Sequence, residues 1–387
     1  VVTTSRADYG HLVWPLRELR ARPDVDLRLV VLGAHLSPEF GHTVTAIERD
    51  GFAVDERLEC LLSSDSDVGM AKTIGVATLS LADAFARRRP DLLLLIADRY
   101  EMLAPAATAL ALRIPIAHIE GGEVSEGAVD HAVRNALTMM AHVHLTPTRA
   151  ARERVIAMGE EPWRVHRVGA PSLDHLVRST LLDAAATDRA LGLDLGRPTV
   201  VVAYHPVTLD RNTIAEADAV FDALGRLDEQ IVFCFPNADA GSRALIDRAR
   251  SFCDARADAH LFVNLDHLVY WSVLRRAAVM LGNSSSAIME SPSLALPAVN
   301  IGRRQQGRER ARNVIDVEAD ADAIVNAVSV ARSATFRASL AGMTNPYGEG
   351  DAGRRIAALL ATLTIDDRLL MKRASPVVDG RHVHPDA

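Results

Sequence analysis

Residues 282–290, with the sequence Gly-Asn-Ser-Ser-Ser-Ala-Ile-Met-Glu, concentrate side chains that could bind an anion. They directly follow residues 277–281, an apolar run that predicts a buried strand. Serine caps helices, and the free backbone N–H groups at a helix N-terminus attract anions. Ser284 and Ser285 are therefore candidate diphosphate ligands. Glu290, predicted to lie inside the helix, is a candidate acceptor for sugar hydroxyls, so the segment predicts a site for a ribose and a diphosphate held without a metal.

The next predicted strand, 297–301, is followed closely by four arginines, Arg303, Arg304, Arg308 and Arg310. They form either an ordinary solvated face or a group that binds phosphate. The position directly after a strand bounded by Pro297 favours Arg304 as a ligand.

A second cluster, from Glu120 to Arg134, is acidic and rich in glycine. Gly121 and Gly122 allow the backbone to turn tightly beside a ligand. Asp130 and Arg134 are spaced i, i+4 on a predicted helix, so they share one face and could form a simple salt bridge. Beside Glu120, Asp130 could instead complete a pair of carboxylates. Neighbouring charges separate the pKa values of such a pair, so that one group acts as an acid and the other as a base.

Further polar side chains follow other predicted strands, and ligands of open parallel sheets bind beyond the carboxyl ends of the strands. Asp98 and Arg99 form either a local ion pair or, respectively, an acid–base group and a diphosphate ligand. Arg6 follows the first strand and is either a phosphate ligand or part of a turn with a helix cap at Asp8. His205, at the end of an apolar strand, is either a structural or a catalytic histidine.

Composition argues against several classes of function. The 387 residues carry a formal net charge of −7, which is unfavourable for nucleic acid or an anionic membrane surface as the main partner. No apolar run approaches the ~20 residues of a membrane span. The phosphate-binding G-x-x-x-x-G-K-[ST] loop is absent, the first loop lacks the G-x-G-x-x-G turn of dinucleotide folds, and the histidines show no metal-ligand spacing. Cys60, Cys234 and Cys253 are typical of free thiols in a reducing cytoplasm.

Apolar runs alternate with amphipathic stretches, which predicts α/β domains with parallel sheets covered on both faces. We predict an N-terminal α/β domain at 1–172, a link at 173–198 and a C-terminal α/β domain at 199–348. A helix at 349–365 is predicted to return to the first domain, and 366–387 form a tail. Polar residues at strand ends in both domains predict one cleft between two facing sheets. The predicted strands are 27–32, 91–97, 114–119, 142–146, 199–204, 230–235, 260–263, 277–281, 297–301 and 313–317.

The ordered set of motifs resembles the hydrolysing UDP-N-acetylglucosamine 2-epimerases of sialic acid and nonulosonic acid biosynthesis. Its most specific parts are Ser-Arg-Ala-Asp-Tyr-Gly at 5–10, Asp-Arg-Tyr-Glu-Met-Leu at 98–103, His-Ile-Glu-Gly-Gly-Glu at 118–123 and Gly-Asn-Ser-Ser at 282–285. The resemblance implies the glycosyltransferase-B fold, in which two Rossmann-like domains face a cleft. The Arg-Ala-Asp-Tyr loop differs from the Arg-Pro-Glu of the non-hydrolysing branch, which favours release of free sugar and nucleotide.

The resemblance also implies roles for individual residues. It assigns catalysis to Asp98, Glu120, Asp130, Arg134 and His205. It assigns nucleotide and substrate binding to Arg6, Arg99, Asn237, Arg243, Ser284, Ser285, Glu290 and Arg304. The implied reaction converts UDP-N-acetylglucosamine and water into N-acetylmannosamine and UDP through a 2-acetamidoglucal. It needs no cofactor or metal, and the implied assembly is a cytoplasmic homodimer or homotetramer.

Three alternatives stay open. The same chemistry could act on a UDP- or GDP-linked 2,4-diacetamido-2,4,6-trideoxy sugar of the legionaminic acid pathway. A glycosyltransferase of the same fold would transfer the sugar to an acceptor, and a non-catalytic protein would only bind the nucleotide sugar.

Overall fold

The computed structural model describes residues 1–62, 66–207, 216–235, 242–263, 265–373, 377–378 and 381–382. The chain divides into two compact units. Unit 1 comprises residues 1–123, 129–174 and those from 350 onwards, and unit 2 comprises 124–128 and 175–349. The segment 124–128 therefore belongs to unit 2, although the residues on either side of it belong to unit 1.

In the described residues the strands are β1 (Val2–Thr3), β2 (Val30–Leu32), β3 (Glu56–Leu58), β4 (Leu93–Ile96), β5 (Ile116–Ile119), β6 (Val143–Thr146), β7 (Val165–Arg167), β8 (Thr199–Ala203), β9 (Gln230–Phe235), β10 (Ala259–Val263), β11 (Val279–Gly282), β12 (Ala298–Ile301), β13 (Val314–Val317), β14 (Val377–Val378) and β15 (Arg381–His382). The helices are α1 (Arg6–Arg20), α2 (Val44–Arg49), α3 (Asp67–Arg87), α4 (Leu103–Ala111), α5 (Val129–Met140), α6 (Arg149–Ala157), α7 (Asp174–Arg178), α8 (Ala184–Leu191), α9 (Ala217–Gly225), α10 (Ser242–Ala255), α11 (His267–Arg276), α12 (Ser286–Met289), α13 (Ala321–Arg332), α14 (Ala334–Ser339), α15 (Ala352–Ala361) and α16 (Asp367–Leu370).

Unit 1 contains two parallel sheets, in the orders β1-β2-β3 and β4-β5-β6-β7, and β1 lies beside β4. All four residues of β4 are buried, as expected for a parallel strand covered on both faces. Helix α1 starts directly after β1, because the Asp8 carboxylate accepts hydrogen bonds from the backbone N–H groups of Thr4 (2.8 Å) and Ser5 (2.9 Å). Helix α15 packs against α1 in the same unit.

Unit 2 contains a six-stranded parallel sheet in the order β10-β9-β8-β11-β12-β13. Its central strands are continuous apolar runs, such as Thr199–Ala203 and Gln230–Phe235, in which every residue is buried. One apolar cluster includes Val200, Val202 and Phe233, and a second includes Val201, Val232 and Met280. Strands β8, β11 and β12 are neighbours, so their carboxyl ends bring 205, 283 and 304 to one edge of the sheet.

The predicted α/β class with parallel sheets is confirmed, and the structure changes several details. The sequence did not predict β3 or β7, which are short and carry polar residues. Residues 173–198, predicted as a link, contain α7 and α8. Predicted strand 27–32 shortens to Val30–Leu32.

Candidate active site

Two predicted catalytic carboxylates lie at the ends of neighbouring strands in unit 1. Asp98 follows β4 and Glu120 follows β5, and these strands pair in parallel up to Ile96 and Ile119. Ala97 and Glu120 both adopt left-handed backbone conformations, with φ of 58° and 65°. Such conformations cost roughly 1–3 kcal/mol for residues other than glycine and cluster at functional sites. Backbone hydrogen bonds hold them here, from Ala97 N to Ile119 O (2.9 Å) and from Glu120 N to Leu145 O (2.9 Å).

Glu120 has a histidine partner that sequence reasoning missed. The Nδ1 atom of His11, on α1, lies 2.8 Å from Oε1 of Glu120. Glu120 is buried, with 5% exposure, whereas the His11 side chain is 22% exposed. One feature of the sequence could have indicated His11 as a site residue. It lies five residues after Arg6, on a helix that starts at the end of a strand. The histidine can hold and orient the carboxylate and exchange a proton with it.

Asp98 is paired with Arg134, whose Nη2 binds the Asp98 Oδ2 atom. Arg134 is almost fully buried and also donates from Nη1 to the carbonyl oxygen of Glu123 (3.1 Å). The alternative prediction of a local ion pair between Asp98 and Arg99 is wrong. Arg99 instead pairs with the fully buried Glu101, at 2.8 Å from Nη2 to Oε1. Asp98 and Glu120 therefore each have a basic partner that is distant in sequence.

The two glycines after Glu120 are required by close packing. Gly122 has a φ of 81°, and a Cβ atom there would overlap the carbonyl oxygen of Ala151. A Cβ atom on Gly121 would lie 3.1 Å from both His118 Nδ1 and Thr138 Oγ1. The backbone beside Glu120 is thus pressed against α6 and the side chains of β5 and α5, as expected for a rigid turn at a site.

Burial controls the protonation of His118, which lies on β5 beneath this turn. Its Nε2 donates to the carbonyl oxygen of Ala97, the residue just before Asp98, at 2.8 Å. Desolvation lowers the pKa of His118 to about 4. The side chain is therefore neutral at neutral pH and supports the left-handed turn at Ala97.

Asp130 and Arg6 are half-buried residues in the first turns of α5 and α1. Arg134 lies one turn after Asp130 on α5 and forms an ion pair with Asp98. The alternative of a helix cap at Asp8 is confirmed by the backbone hydrogen bonds to its carboxylate. The role of Arg6 as a ligand stays a prediction.

In unit 2, Asn283 connects the two strand ends that carry the predicted nucleotide site. Its Oδ1 accepts from His205 N (2.7 Å), and its Nδ2 donates to His205 O (2.9 Å). Its own carbonyl oxygen accepts from Arg304 Nη1 (3.1 Å) and Gln305 Nε2 (2.8 Å). Asn283 is fully buried, and the sequence did not predict its part in the site. The asparagine fixes the positions of His205 and Arg304 relative to each other.

The serine-rich segment forms a shorter helix than predicted. Helix α12 is a single turn, Ser286–Met289, and its N-cap residue Ser285 makes no side-chain capping hydrogen bond. Glu290 is the residue that ends this helix instead of lying inside it, and it accepts a hydrogen bond from Ser286 Oγ. Ser284 and Ser285 are half-buried next to Asn283. The predicted position of Glu290 inside the helix is therefore wrong, and the anion-binding role of Ser284 and Ser285 stays a prediction.

The arginines after β12 do not form an ordinary solvated face. Arg304 and Arg308 are buried, at 8% and 6% exposure, whereas Arg303 is exposed. Arg308 donates from Nε to Val124 O (3.0 Å) and from Nη2 to Ser125 Oγ (3.2 Å), and so binds the segment 124–128 within unit 2. Arg304 Nε has no hydrogen-bond partner among the described residues.

Two predicted binding residues lie elsewhere. Arg243 is exposed in the first turn of α10. Asn237 lies outside the described residues. No group of three or more His, Cys, Asp or Glu side chains in the described part of the chain could hold a metal ion.

Comparison with known proteins decides the family. The model of a family described as UDP-N-acetylglucosamine 2-epimerase matches residues 17–361. The chain belongs to the UDP-N-acetylglucosamine 2-epimerase family. The predicted family is thereby confirmed.

Two relatives of this epimerase family member extend over most of its length. It is 35% identical over 372 residues to a UDP-N,N'-diacetylbacillosamine 2-epimerase (hydrolyzing) of Legionella pneumophila, covering 96% of this chain and 97% of the relative. It is 34% identical over 321 residues to a GDP/UDP-N,N'-diacetylbacillosamine 2-epimerase (hydrolyzing) of Campylobacter jejuni, covering 82% and 83% of the two chains.

A solved structure shares the fold. The Neisseria meningitidis UDP-GlcNAc 2-epimerase bound to UDP-GlcNAc matches with a TM-score of 0.76 and 17% identity, over 93% of this chain and 98% of the other. This likeness confirms the predicted glycosyltransferase-B type of α/β fold.

Proposed function

We propose that the protein is a hydrolysing 2-epimerase that acts on a UDP-linked 2-acetamido sugar. The observation that carries the proposal is the pair of carboxylates, Asp98 and Glu120, at the ends of neighbouring strands, with Arg134 and His11 as their respective basic partners. Inversion at carbon 2 requires proton removal from one face of the sugar and proton return to the other. Two separately held carboxylates are suited to that task.

The reaction proceeds in two balanced steps. In the first, a carboxylate takes the proton from carbon 2, the C1–C2 double bond forms, and the C1–oxygen bond breaks with its electron pair leaving on UDP. In the second, water adds its hydroxyl to C1 of the 2-acetamidoglucal, and carbon 2 receives a proton on the opposite face. The free 2-acetamido sugar with inverted C2 and UDP are released.

We assign the nucleotide to residues of unit 2. Arg304 supplies a positive charge for the diphosphate, and Ser284 and Ser285 supply hydroxyl donors. Glu290 is a candidate acceptor for ribose hydroxyls, and His205, held by Asn283, donates to the departing phosphate oxygen. These groups stabilise the charge that develops on UDP in the first step. The roles of Arg6, Arg99, Asp130, Asn237 and Arg243 in binding or catalysis remain predictions from the resemblance.

The names of the two relatives support UDP-N,N'-diacetylbacillosamine as the first substrate to test. UDP-N-acetylglucosamine is the second candidate, because the family model carries that name and the sequence motifs resemble enzymes that use it. We also propose a cytoplasmic enzyme, in keeping with Cys60, Cys234 and Cys253, which are free thiols in the structure.

The test is a substrate panel with the purified full chain. UDP-N-acetylglucosamine and the UDP and GDP forms of N,N'-diacetylbacillosamine are incubated separately. Nucleotide release is followed by ion-exchange chromatography, and the sugar product by proton NMR. We expect free nucleotide together with a free sugar of inverted C2 configuration, and faster turnover of the diacetamido sugar.

A matched pair of variants links the activity to the site. Asp98→Asn should lower turnover by about 100-fold or more, whereas Asp91→Asn, at an exposed position outside the site, should leave turnover unchanged. Nucleotide release without C2 inversion, sugar transfer to an added acceptor, or tight binding without turnover of any substrate would each overturn the proposal.

A further inference from the structure

A chain of two hydroxyl groups leads from helix α11 to Glu290 within unit 2. The hydroxyl of Tyr270, on α11, lies 2.8 Å from Ser286 Oγ, and Ser286 Oγ is in turn hydrogen-bonded to Glu290 Oε2. Ser286 and Glu290 are both buried. Glu290 is the proposed acceptor for ribose hydroxyls, whereas Tyr270 and Ser286 were not predicted from the sequence to take part in the site.

The donors and acceptors along this chain have one consistent order. A carboxylate only accepts hydrogen bonds, so Ser286 donates its single hydroxyl hydrogen to Glu290. The oxygen of Ser286 then accepts from Tyr270, whose hydroxyl donates. Hydrogen bonds in a buried chain polarise one another. Tyr270 therefore strengthens and directs the hydrogen bond by which Ser286 holds the Glu290 carboxylate.

The core of unit 2 fixes the place of Tyr270 relative to α12. One apolar cluster includes Val273 and Leu274 of α11 and Ala287 of α12, and the Tyr270 ring packs against this cluster. A phenylalanine at position 270 would therefore keep the packing of the ring and lose only the hydroxyl group. The contribution of the hydroxyl can be measured separately from that of the core.

We propose that Tyr270 is a positioning residue that, through Ser286, makes the site selective for a ribonucleotide. A hydrogen bond to Glu290 Oε2 sets the plane of the carboxylate, and with it the directions from which the carboxylate accepts. The two hydroxyls of a ribose lie on adjacent ring carbons at a fixed spacing, so they bind best to an acceptor whose orientation is also fixed. A sugar without these hydroxyls leaves a buried acceptor unpaired, which is unfavourable.

This inference rests on the proposed function, because it takes Glu290 as the ribose ligand. The alternative is a purely structural chain, in which the hydroxyl groups only satisfy one another's hydrogen bonds. Loss of a structural chain would weaken the binding of any nucleotide to the same degree. Loss of a positioning chain would weaken only nucleotides that carry ribose hydroxyls. The ratio of two dissociation constants, one with and one without these hydroxyls, separates the two cases.

Isothermal titration calorimetry of the full chain with UDP and with 2',3'-dideoxy-UDP measures this ratio. The wild type should bind UDP about tenfold more tightly than dideoxy-UDP, or better. Tyr270→Phe should weaken the binding of UDP by about 3- to 10-fold and leave that of dideoxy-UDP within about twofold. The matched control is Tyr347→Phe, which removes a tyrosine hydroxyl that donates to Glu309 O (3.0 Å) in the same unit and should leave the ratio unchanged.

Ser286→Ala tests whether Tyr270 acts through the serine. This variant removes the middle of the chain and keeps the backbone N–H of Ser286, which donates to Ser284 Oγ (3.3 Å). It should lower the preference for UDP at least as far as Tyr270→Phe does. The double variant should lower the preference no further than Ser286→Ala alone, since the two groups belong to one chain of hydrogen bonds.

The possible failures are distinguishable. An equal affinity of the wild type for both nucleotides, a preference unchanged by Tyr270→Phe, or independent effects of the two substitutions would overturn the inference. So would an equal loss of affinity for UDP and dideoxy-UDP. If C2 inversion in the substrate panel is intact, the proposed function stands in each of these cases. A wild type that binds neither nucleotide and releases none from any substrate would overturn the proposed function together with the inference.

Discussion

The contact between His11 and Glu120 gives a quantitative prediction for His11→Ala. The substitution removes a ring nitrogen that lies 2.8 Å from the Glu120 carboxylate. Glu120 is only 5% exposed, so water replaces the lost partner poorly. Hydrogen bonds to charged groups contribute about 1.5–3 kcal/mol. If that loss falls on the transition state, kcat/KM decreases roughly 10- to 150-fold.

The assay is steady-state nucleotide release by wild type, His11→Ala and His11→Gln. The decrease should fall mainly on kcat, because His11 contacts Glu120, a predicted acid–base group. Glutamine keeps a donor and should recover part of the rate. His260→Ala, which removes a half-buried histidine on β10, is the control and should keep full activity. Activity of His11→Ala within twofold of wild type, with an unchanged melting temperature, would refute the proposed part of His11 in holding Glu120.

Four further predictions follow from the same contacts. Asp98→Asn should lower kcat by about 10²–10⁴-fold in the nucleotide-release assay, as expected for loss of an acid–base group. Asn283→Ala should raise KM and reduce the free energy of unfolding by about 1–3 kcal/mol in denaturant titrations, since it leaves buried backbone groups without partners. Gly122→Ala should destabilise by at least ~2 kcal/mol in the same titrations, because its φ is 81° and the space for a Cβ atom is occupied. Burial lowers the pKa of His118 from 6.5 to about 4, so the unfolded chain binds a proton that the folded chain does not. Protonation of this group should therefore contribute about 3 kcal/mol to the loss of stability between pH 6.5 and pH 4. Denaturation midpoints across this range should show a smaller fall for His118→Gln than for the wild type.

The parts of the fold that the sequence predicted well are those with strong local signals. Predicted strand 230–235 matches β9 at both ends, and the amphipathic stretch 267–276, for which the sequence predicts a helix, matches α11. Their continuous apolar runs and helical periodicity are local properties. In contrast, β3 and β7 have polar compositions, Glu-Arg-Leu and Val-His-Arg, and pair only because neighbouring strands are available.

The candidate site was predictable in composition but not in its pairings. The sequence placed Asp98 and Glu120 at strand ends, since ligands of parallel sheets bind there. It could not show that His11 contacts a residue 109 positions later, or that Arg134 forms an ion pair with Asp98. Contacts between elements distant in sequence depend on tertiary packing, which local spacing does not contain.

The burial of Arg304 also could not be predicted from the sequence. Four arginines in a short polar stretch are indistinguishable from a solvated surface until the partners are known. The partner that distinguishes Arg304 is Asn283, whose carbonyl oxygen accepts a hydrogen bond from its guanidinium group.

The most direct test of the proposed chemistry is the reaction in deuterium oxide. Elimination followed by hydration predicts one deuterium at carbon 2 of every released sugar molecule, and NMR of the purified product measures it. Release of free sugar and UDP with the original hydrogen retained at carbon 2 would contradict proton removal by a carboxylate, and with it the function proposed for Asp98 and Glu120.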